Sequence, residues 1–186
     1  RKGIAMDCFI GIDLGSTTTK AVILDPQGAI VGRGITNSRS NYDVAAQVAK
    51  QEAYTNARFE ILSRRLRALE NITAQDREQF EQHLAAAYAH GCFLGQLARL
   101  ENHCRADLEN RRFAENRKEL RQALEVILHG IREEADKVFT PNAGARSDFF
   151  RDIAGAAFVE TASDISRNGG PTFDSLVGMF DRNIIP

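Results

Sequence analysis

The sequence has little of what stabilises secreted or membrane proteins. Its 186 residues include only three cysteines, an odd number in a chain without an export signal, which argues against a disulfide framework. No apolar run approaches the roughly 18–20 residues of a membrane span, and the N-terminus lacks the apolar region of a signal peptide. The formal net charge is −1, so no general attraction to nucleic acid is expected. We therefore expect a cytoplasmic protein without nucleic-acid or membrane partners.

What is present is typical of a globular protein. Hydrophobic residues make up 43% and charged residues 26% of the chain. The length is enough for one sizeable core, or for one small domain with an appendage.

One segment, Gly11–Lys20, places an aspartate, a glycine, several hydroxyl residues and a lysine between two apolar runs. An apolar run ends at Asp13, a glycine and a row of hydroxyl residues follow, and a second apolar run begins after Lys20. Two strands joined by a tight turn can direct several N–H and hydroxyl groups at one anion. An aspartate at the end of the first strand can hold hydrated Mg²⁺, and a lysine adds a compact positive charge. The pattern favours phosphate binding; the alternative is an ordinary hairpin with a polar turn.

The spacing of apolar residues predicts strands at the start of the chain and helices after them. The predicted fold class is α/β, with strands and helices segregated as in an α+β protein. Strands are predicted near 7–13, 19–25 and 29–36, with a turn at 25–28, as a three-stranded antiparallel meander. Helices are predicted from about Tyr42 onward, with Thr73 capping the second, a third from about 114, a loop from Thr140, and new starts at Ser147 and about Thr172. The expected domains are 1–41, 42–170 and 171–186. The apolar stripe predicted for the first helix comprises Val44, Val48, Tyr54, Ile61, Leu62, Leu66 and Leu69.

Residues 9–25 resemble the first phosphate motif of the ATPases related to actin, sugar kinases and heat-shock chaperones. Within that superfamily they most resemble benzoyl-CoA reductase ATPase subunits and 2-hydroxyacyl-CoA dehydratase activators. Residues 35–43, followed by a long charged helical stretch, are closest to the larger ATPase-type subunit of a benzoyl-CoA reductase. The activators are similar over residues 9–36 but lack so long a helical insertion.

This resemblance implies a ribonuclease H-like ATPase lobe that begins with a three-stranded antiparallel meander and carries a large helical insertion. Such families also need a second phosphate motif and an adenosine-contacting loop. The sequence has neither, so we expect it to be an N-terminal fragment of a longer subunit.

The resemblance also implies the function, the site residues, the cofactors and the partners. ATP hydrolysis would drive low-potential electron transfer for the reduction of an aromatic acyl-CoA, with Asp13 as the catalytic residue and as the Mg²⁺ site through water. The turn of Gly15, Ser16, Thr17 and Thr18 would hold the phosphates of ATP, with Lys20 beside them. A 4Fe–4S cluster is implied for the full-length subunit, with no ligands in this chain. The implied partners are a homologous ATPase subunit, the acyl-CoA reducing subunits and a ferredoxin-like electron donor.

Three alternatives remain open at this point. The chain could belong to a dehydratase activator, or to a small-metabolite kinase with the same nucleotide motif. It could also be a helical interaction module whose strands are purely structural.

The cysteines offer no metal site in this interpretation. Cys92 and Cys104 lie twelve residues apart on one predicted helix, about 18 Å along its axis, too far to share a metal. Cys8, just before the first strand, is expected to be a small buried hydrophobic residue. The helical region is expected to serve as a docking surface without a cofactor.

Overall fold

A computed structural model describes residues 7–38, 41–141 and 150–184. Three strands come first, and helices follow to the end of the described chain. The elements are β1 (Phe9–Leu14), β2 (Thr18–Leu24), β3 (Ile30–Asn37), α1 (Tyr42–Arg67), α2 (Ala74–Leu108), α3 (Arg117–Val138), α4 (Phe150–Arg167) and α5 (Phe173–Asn183). A short 3-10 helix, Arg111–Phe113, separates α2 from α3. The predicted fold class, an antiparallel meander followed by a large helical region, is confirmed.

The sheet has the order β1-β2-β3, and both pairings are antiparallel. The turn between β2 and β3 forms where Asp25 was expected to start it. The Asp25 carboxylate accepts the backbone N–H groups of Gln27 and Ala29 at 3.1 and 2.8 Å. Gly28 has a φ of +81°, a conformation that glycine adopts without a steric penalty. Short polar side chains that bond their own backbone are the usual reason for such tight turns.

Helix α1 packs against one face of the sheet at very short distance. Cβ atoms built on Gly32 and Gly34 would lie 2.2 Å from the Ala53 carbonyl oxygen and 2.0 Å from the Ala49 carbonyl oxygen. Only strand residues without a side chain permit this approach. The helix meets them with alanines four residues apart, so that two small-residue surfaces lie in contact and exclude water. Its buried residues are Ala45, Ala49, Ala53 and Ala57.

The stripe predicted for α1 is wrong in its N-terminal half and at Leu69, which lies beyond the end of the helix and is 46% exposed, although the helix itself is confirmed. Val44 and Val48 are 56% and 48% exposed, and Tyr54 is also exposed. Large apolar residues cannot face the sheet here, because Gly32 and Gly34 bring the helix backbone too close for them. The alanines face the sheet instead.

The chain divides into two compact units between Glu78 and Gln79. The domain boundaries predicted at 41/42 and 170/171 stay predictions. Thr73 caps the next helix as predicted: its hydroxyl oxygen accepts the Asp76 N–H at 3.1 Å.

The core of the second unit is formed by α2, α3, α4 and α5. Helix α3 contributes the most regular apolar face, with Leu120, Leu124, Ile127, Leu128 and Ile131 buried. Phe158 of α4 packs against Phe180 of α5 with ring centroids 4.3 Å apart. Large aliphatic and aromatic side chains therefore hold this unit together, in contrast to the alanines of α1.

Helix α4 ends at the predicted glycines. The N–H of Gly170 donates to the Ile165 carbonyl at 3.0 Å, and Gly169 has a φ of +83°. The predicted helix start at Ser147 and most of the predicted loop from Thr140 fall on residues 142–149, outside the described residues. Within 7–38, 41–141 and 150–184, no helix has the length and apolar character needed to cross a bilayer.

Candidate functional site

The residues predicted to bind phosphate lie at and beside the turn between β1 and β2. Asp13 is the second-last residue of β1, and its cross-strand partner on β2 is Lys20. Residues directly opposite each other in an antiparallel pair project from the same face. Thr19 and Ala21 are buried on the face that α1 covers, so Asp13, Thr18 and Lys20 project from the other face.

The turn itself is tight. The N–H of Gly15 donates to the Thr18 carbonyl at 3.1 Å. A Cβ on Gly15 would lie 2.7 Å from the same oxygen, so a larger residue would force the turn open. Ser16 and Thr17 are exposed, and their N–H groups have no hydrogen-bond partner among the residues that the structure describes. Two exposed N–H donors beside three hydroxyls form a surface that suits an anion.

Ser38, immediately after β3, supports the turn and has no role in the sequence prediction. Its hydroxyl donates to the Gly15 carbonyl oxygen, and its N–H donates to the Thr17 carbonyl at 2.9 Å. Ser38 Oγ also lies 2.9 Å from Thr19 Oγ1, in a fully buried contact. The sequence shows only that the apolar strand pattern ends at Asn37-Ser38, which does not indicate a contact with Gly15.

These residues fit a magnesium-bound polyphosphate. The Asp13 carboxylate is exposed, and within the described part of the chain it forms no ion pair with Lys20. A hard cation prefers such an oxygen ligand, usually with several of its waters retained. A cavity of about 510 Å³ borders Lys20, and Arg33 also lines it. Glu52 of α1 lines the same cavity, so two positive charges and one negative charge border it.

The cysteines do not form a metal site. Cys8 is exposed, so the prediction that it is a buried residue is wrong: it precedes the edge strand β1, whose residues are all exposed. Cys92 is exposed and Cys104 is fully buried. Burial raises the pKa of the Cys104 thiol to about 12, which disfavours the thiolate that binds metals. Across the described ranges, no group of three or more His, Cys, Asp or Glu side chains could hold a metal ion.

The sequence model of the BadF/BadG/BcrA/BcrD ATPase family matches residues 10–161, most of the chain. The chain belongs to this family. The match includes the β1–β2 turn, all of the meander except Phe9, and the helices through most of α4. No curated protein and no solved structure matches the chain significantly.

Membership makes this an ATPase of the BadF/BcrA type, and it implies ATP and Mg²⁺ as ligands. The roles of individual site residues, and what the hydrolysis drives, stay predictions.

Proposed function

We propose that the chain is the ATP-binding part of an ATPase subunit that couples ATP hydrolysis to low-potential electron transfer for the reduction of an aromatic acyl-CoA. The observation that carries the ATP-binding assignment is the β1–β2 turn. Its N–H groups at Ser16 and Thr17, which have no partner among the described residues, lie between Asp13 and Lys20, which share one exposed face of the sheet.

Each residue of the turn has a distinct role in this proposal. Asp13 orients Mg²⁺ through the metal's water shell, and bound Mg²⁺ would neutralise charge on the phosphates. The N–H and hydroxyl groups of residues 15–18 hold the β- and γ-phosphates, and Lys20 contributes positive charge. Phosphoryl transfer depends mainly on such positioning and charge stabilisation, with little covalent chemistry by the protein.

The coupling to electron transfer rests on family membership and on the resemblance of residues 35–43 to a benzoyl-CoA reductase subunit. In this proposal the partners are a homologous ATPase subunit, the acyl-CoA reducing subunits and a ferredoxin-like donor. The 4Fe–4S cluster would take its ligands from outside this chain, because Cys104 is fully buried and its raised pKa disfavours the thiolate that binds such a cluster. The assembly would work in the cytoplasm.

The direct test is an anaerobic assay of the intact protein with its partner subunits and a low-potential reductant. We expect ATP-dependent reduction of benzoyl-CoA. Asp13→Asn should lower both ATP hydrolysis and reduction by about a hundredfold or more, as loss of one key electrostatic group does in other enzymes. The matched control is Asp43→Asn, because Asp43 is an exposed carboxylate in the first turn of α1.

The alternatives give different results in the same experiment. Activation of a 2-hydroxyacyl-CoA dehydratase, with no benzoyl-CoA reduction, would identify an activator. Transfer of phosphate from ATP to a small hydroxylated metabolite would identify a kinase. Equal ATPase activity in the Asp13→Asn and Asp43→Asn variants would remove Asp13 from the site.

A further inference from the structure

Ser38 lies directly against the β1–β2 turn although it follows a different strand. It is 1% exposed, and 23 residues separate it from Gly15, whose carbonyl it binds. The antiparallel meander brings the end of β3 beside the start of β2, so that Ser38 reaches the turn from the third strand. We propose that Ser38 is a positioning residue that holds the turn in its phosphate-binding conformation. The inference rests on the proposed function, because it concerns the same turn.

The hydrogen atoms fix the direction of the contacts. A serine hydroxyl has one hydrogen to donate, and Ser38 donates it to the Gly15 carbonyl. In the 2.9 Å contact between Thr19 Oγ1 and Ser38 Oγ, the threonine must therefore be the donor. The result is a buried chain of hydroxyls from Thr19 through Ser38 to the Gly15 carbonyl. Each bond in such a chain polarises the next and strengthens it.

These contacts control where the N–H groups of the turn point. A peptide unit is planar and trans, so its N–H points opposite to its C=O. The described chain contains no cis peptide bond. Ser38 holds the carbonyls of Gly15 and Thr17, through its hydroxyl and its N–H. The N–H groups of Ser16 and Thr18 belong to the same two peptide units and are therefore directed away from Ser38. Of the two donors assigned to the anion, Ser16 and Thr17, Ser38 thus orients that of Ser16.

Removal of the hydroxyl would release the Gly15 peptide. The Gly15 carbonyl would lose its donor and the buried Thr19 hydroxyl its acceptor, so the peptide could rotate to find new partners. The binding-competent conformation would then be populated only part of the time, and the apparent affinity falls by that fraction. A competent fraction of about one tenth weakens phosphate binding about tenfold.

The test compares Ser38→Ala with Val31→Ala in the intact protein. Val31 is a buried residue of β3, the strand that Ser38 follows, and it lies seven residues and roughly 23 Å before Ser38. Its truncation destabilises the sheet without touching the turn. The measurements are the dissociation constant of Mg-ATP by titration calorimetry and the thermal midpoint of each variant.

We expect Ser38→Ala to weaken Mg-ATP binding about tenfold. Val31→Ala should leave the dissociation constant within about twofold of the wild-type value, while it lowers the thermal midpoint at least as much as Ser38→Ala does. Ser38→Cys, nearly the same in volume but a weak donor, is measured in place of Ser38→Ala if that variant does not fold. Unchanged affinity in the Ser38 variant, or equal weakening in Val31→Ala, would overturn the role of Ser38 alone. A wild-type protein that binds no Mg-nucleotide would overturn the proposed function and this inference with it.

Discussion

Arg64 Nη1 donates to Asp25 Oδ2 at 2.9 Å, which joins the last turn of α1 to the turn between β2 and β3. The Asp25 side chain is 5% exposed, whereas Arg64 is 41% exposed and also binds Glu60. The pair therefore combines a buried carboxylate with a guanidinium that reaches solvent. It ties helix and sheet together at the end of the sheet opposite the β1–β2 turn.

Replacement of Arg64 should destabilise the first unit. Arg64→Met leaves the Asp25 carboxylate, whose side chain is only 5% exposed, without its charged partner, so we expect the first unit to lose stability. Arg65→Met is the matched control, because Arg65 is exposed on the next residue and no ion pair involves it in the described structure. Hydrogen exchange of the sheet amides reports on this unit specifically. Equal effects of the two substitutions would show that the ion pair contributes nothing.

The Asp25 carboxylate should make stability depend on pH in the acid range. The Arg64 hydrogen bond, followed by the Ala29 N–H, lowers the pKa of Asp25 from its usual 3.8. A folded-state pKa below the unfolded value gives stability that is present above about pH 4 and is lost as the pH falls through the folded pKa. The difference in stability between wild type and Asp25→Asn, measured by urea unfolding, should therefore shrink as the pH falls below about 4. A difference that is constant or grows toward acid would contradict the assignment.

Gly34 should not tolerate a side chain. A Cβ there would lie 2.0 Å from the Ala49 carbonyl oxygen, so Gly34→Ala must push α1 away from the sheet. We expect a loss of about 3 kcal/mol, at the upper end for overpacking in a core. Gly11→Ala is the control, since nothing lies within 4 Å of a Cβ at that strand position. Calorimetric midpoints should separate the two variants clearly, and similar midpoints would mean that α1 adjusts without cost.

Lys20 should matter to nucleotide binding and not to stability. Its side chain is exposed and lies opposite Asp13, where a phosphate would meet it. A lost hydrogen bond between charged groups costs about 1.5–3 kcal/mol, so Lys20→Met should weaken Mg-ATP binding by roughly tenfold to a hundredfold. Lys118→Met on α3 is the control and should change neither the affinity for Mg-ATP nor the stability. Isothermal titration measures the affinity, and an unaltered value for Lys20→Met would exclude the lysine from the site.

The three cysteines should react at very different rates. Cys8 and Cys92 are exposed, whereas Cys104 is fully buried and burial raises its pKa to about 12. A thiol reagent at pH 8 should modify two thiols per native chain rapidly and the third only on unfolding, because the thiolate is the reactive form. Cys92→Ala should reduce the rapid count to one, and Cys104→Ala should leave it at two. Rapid reaction of all three thiols would mean that the core of the second unit opens readily.

The strands and the turn between β1 and β2 could be predicted because their signals are local. Apolar residues alternate between clear turn residues, and Asp13 through Lys20 are nearly contiguous. The buried face of α1 could not be predicted in the same way. Alanine gives a weak apolar signal, and it faces the sheet only because Gly32 and Gly34 admit the helix backbone.

The role proposed for Ser38 was also outside the reach of the sequence pattern. Its contacts join residues from three parts of the meander, and they depend on the register between β2 and β3. A serine that ends a strand is common, and nothing in its neighbours indicates a partner 23 residues away.

The two edge strands of the sheet, β1 and β3, differ in whether their outer backbone groups are free to pair with a further strand. At β3, Asn56 of α1 donates to the Arg33 carbonyl at 2.6 Å, and Glu52 accepts the Ile35 N–H at 2.8 Å. These helix side chains occupy positions that a fourth strand would need. At β1, no described residue forms hydrogen bonds beyond the pairing with β2, and Phe9 and Leu14 are exposed. Among the described residues, β1 is therefore the edge whose backbone groups are open to a further strand, and such a strand would lie next to Asp13, on the side of the β1–β2 turn.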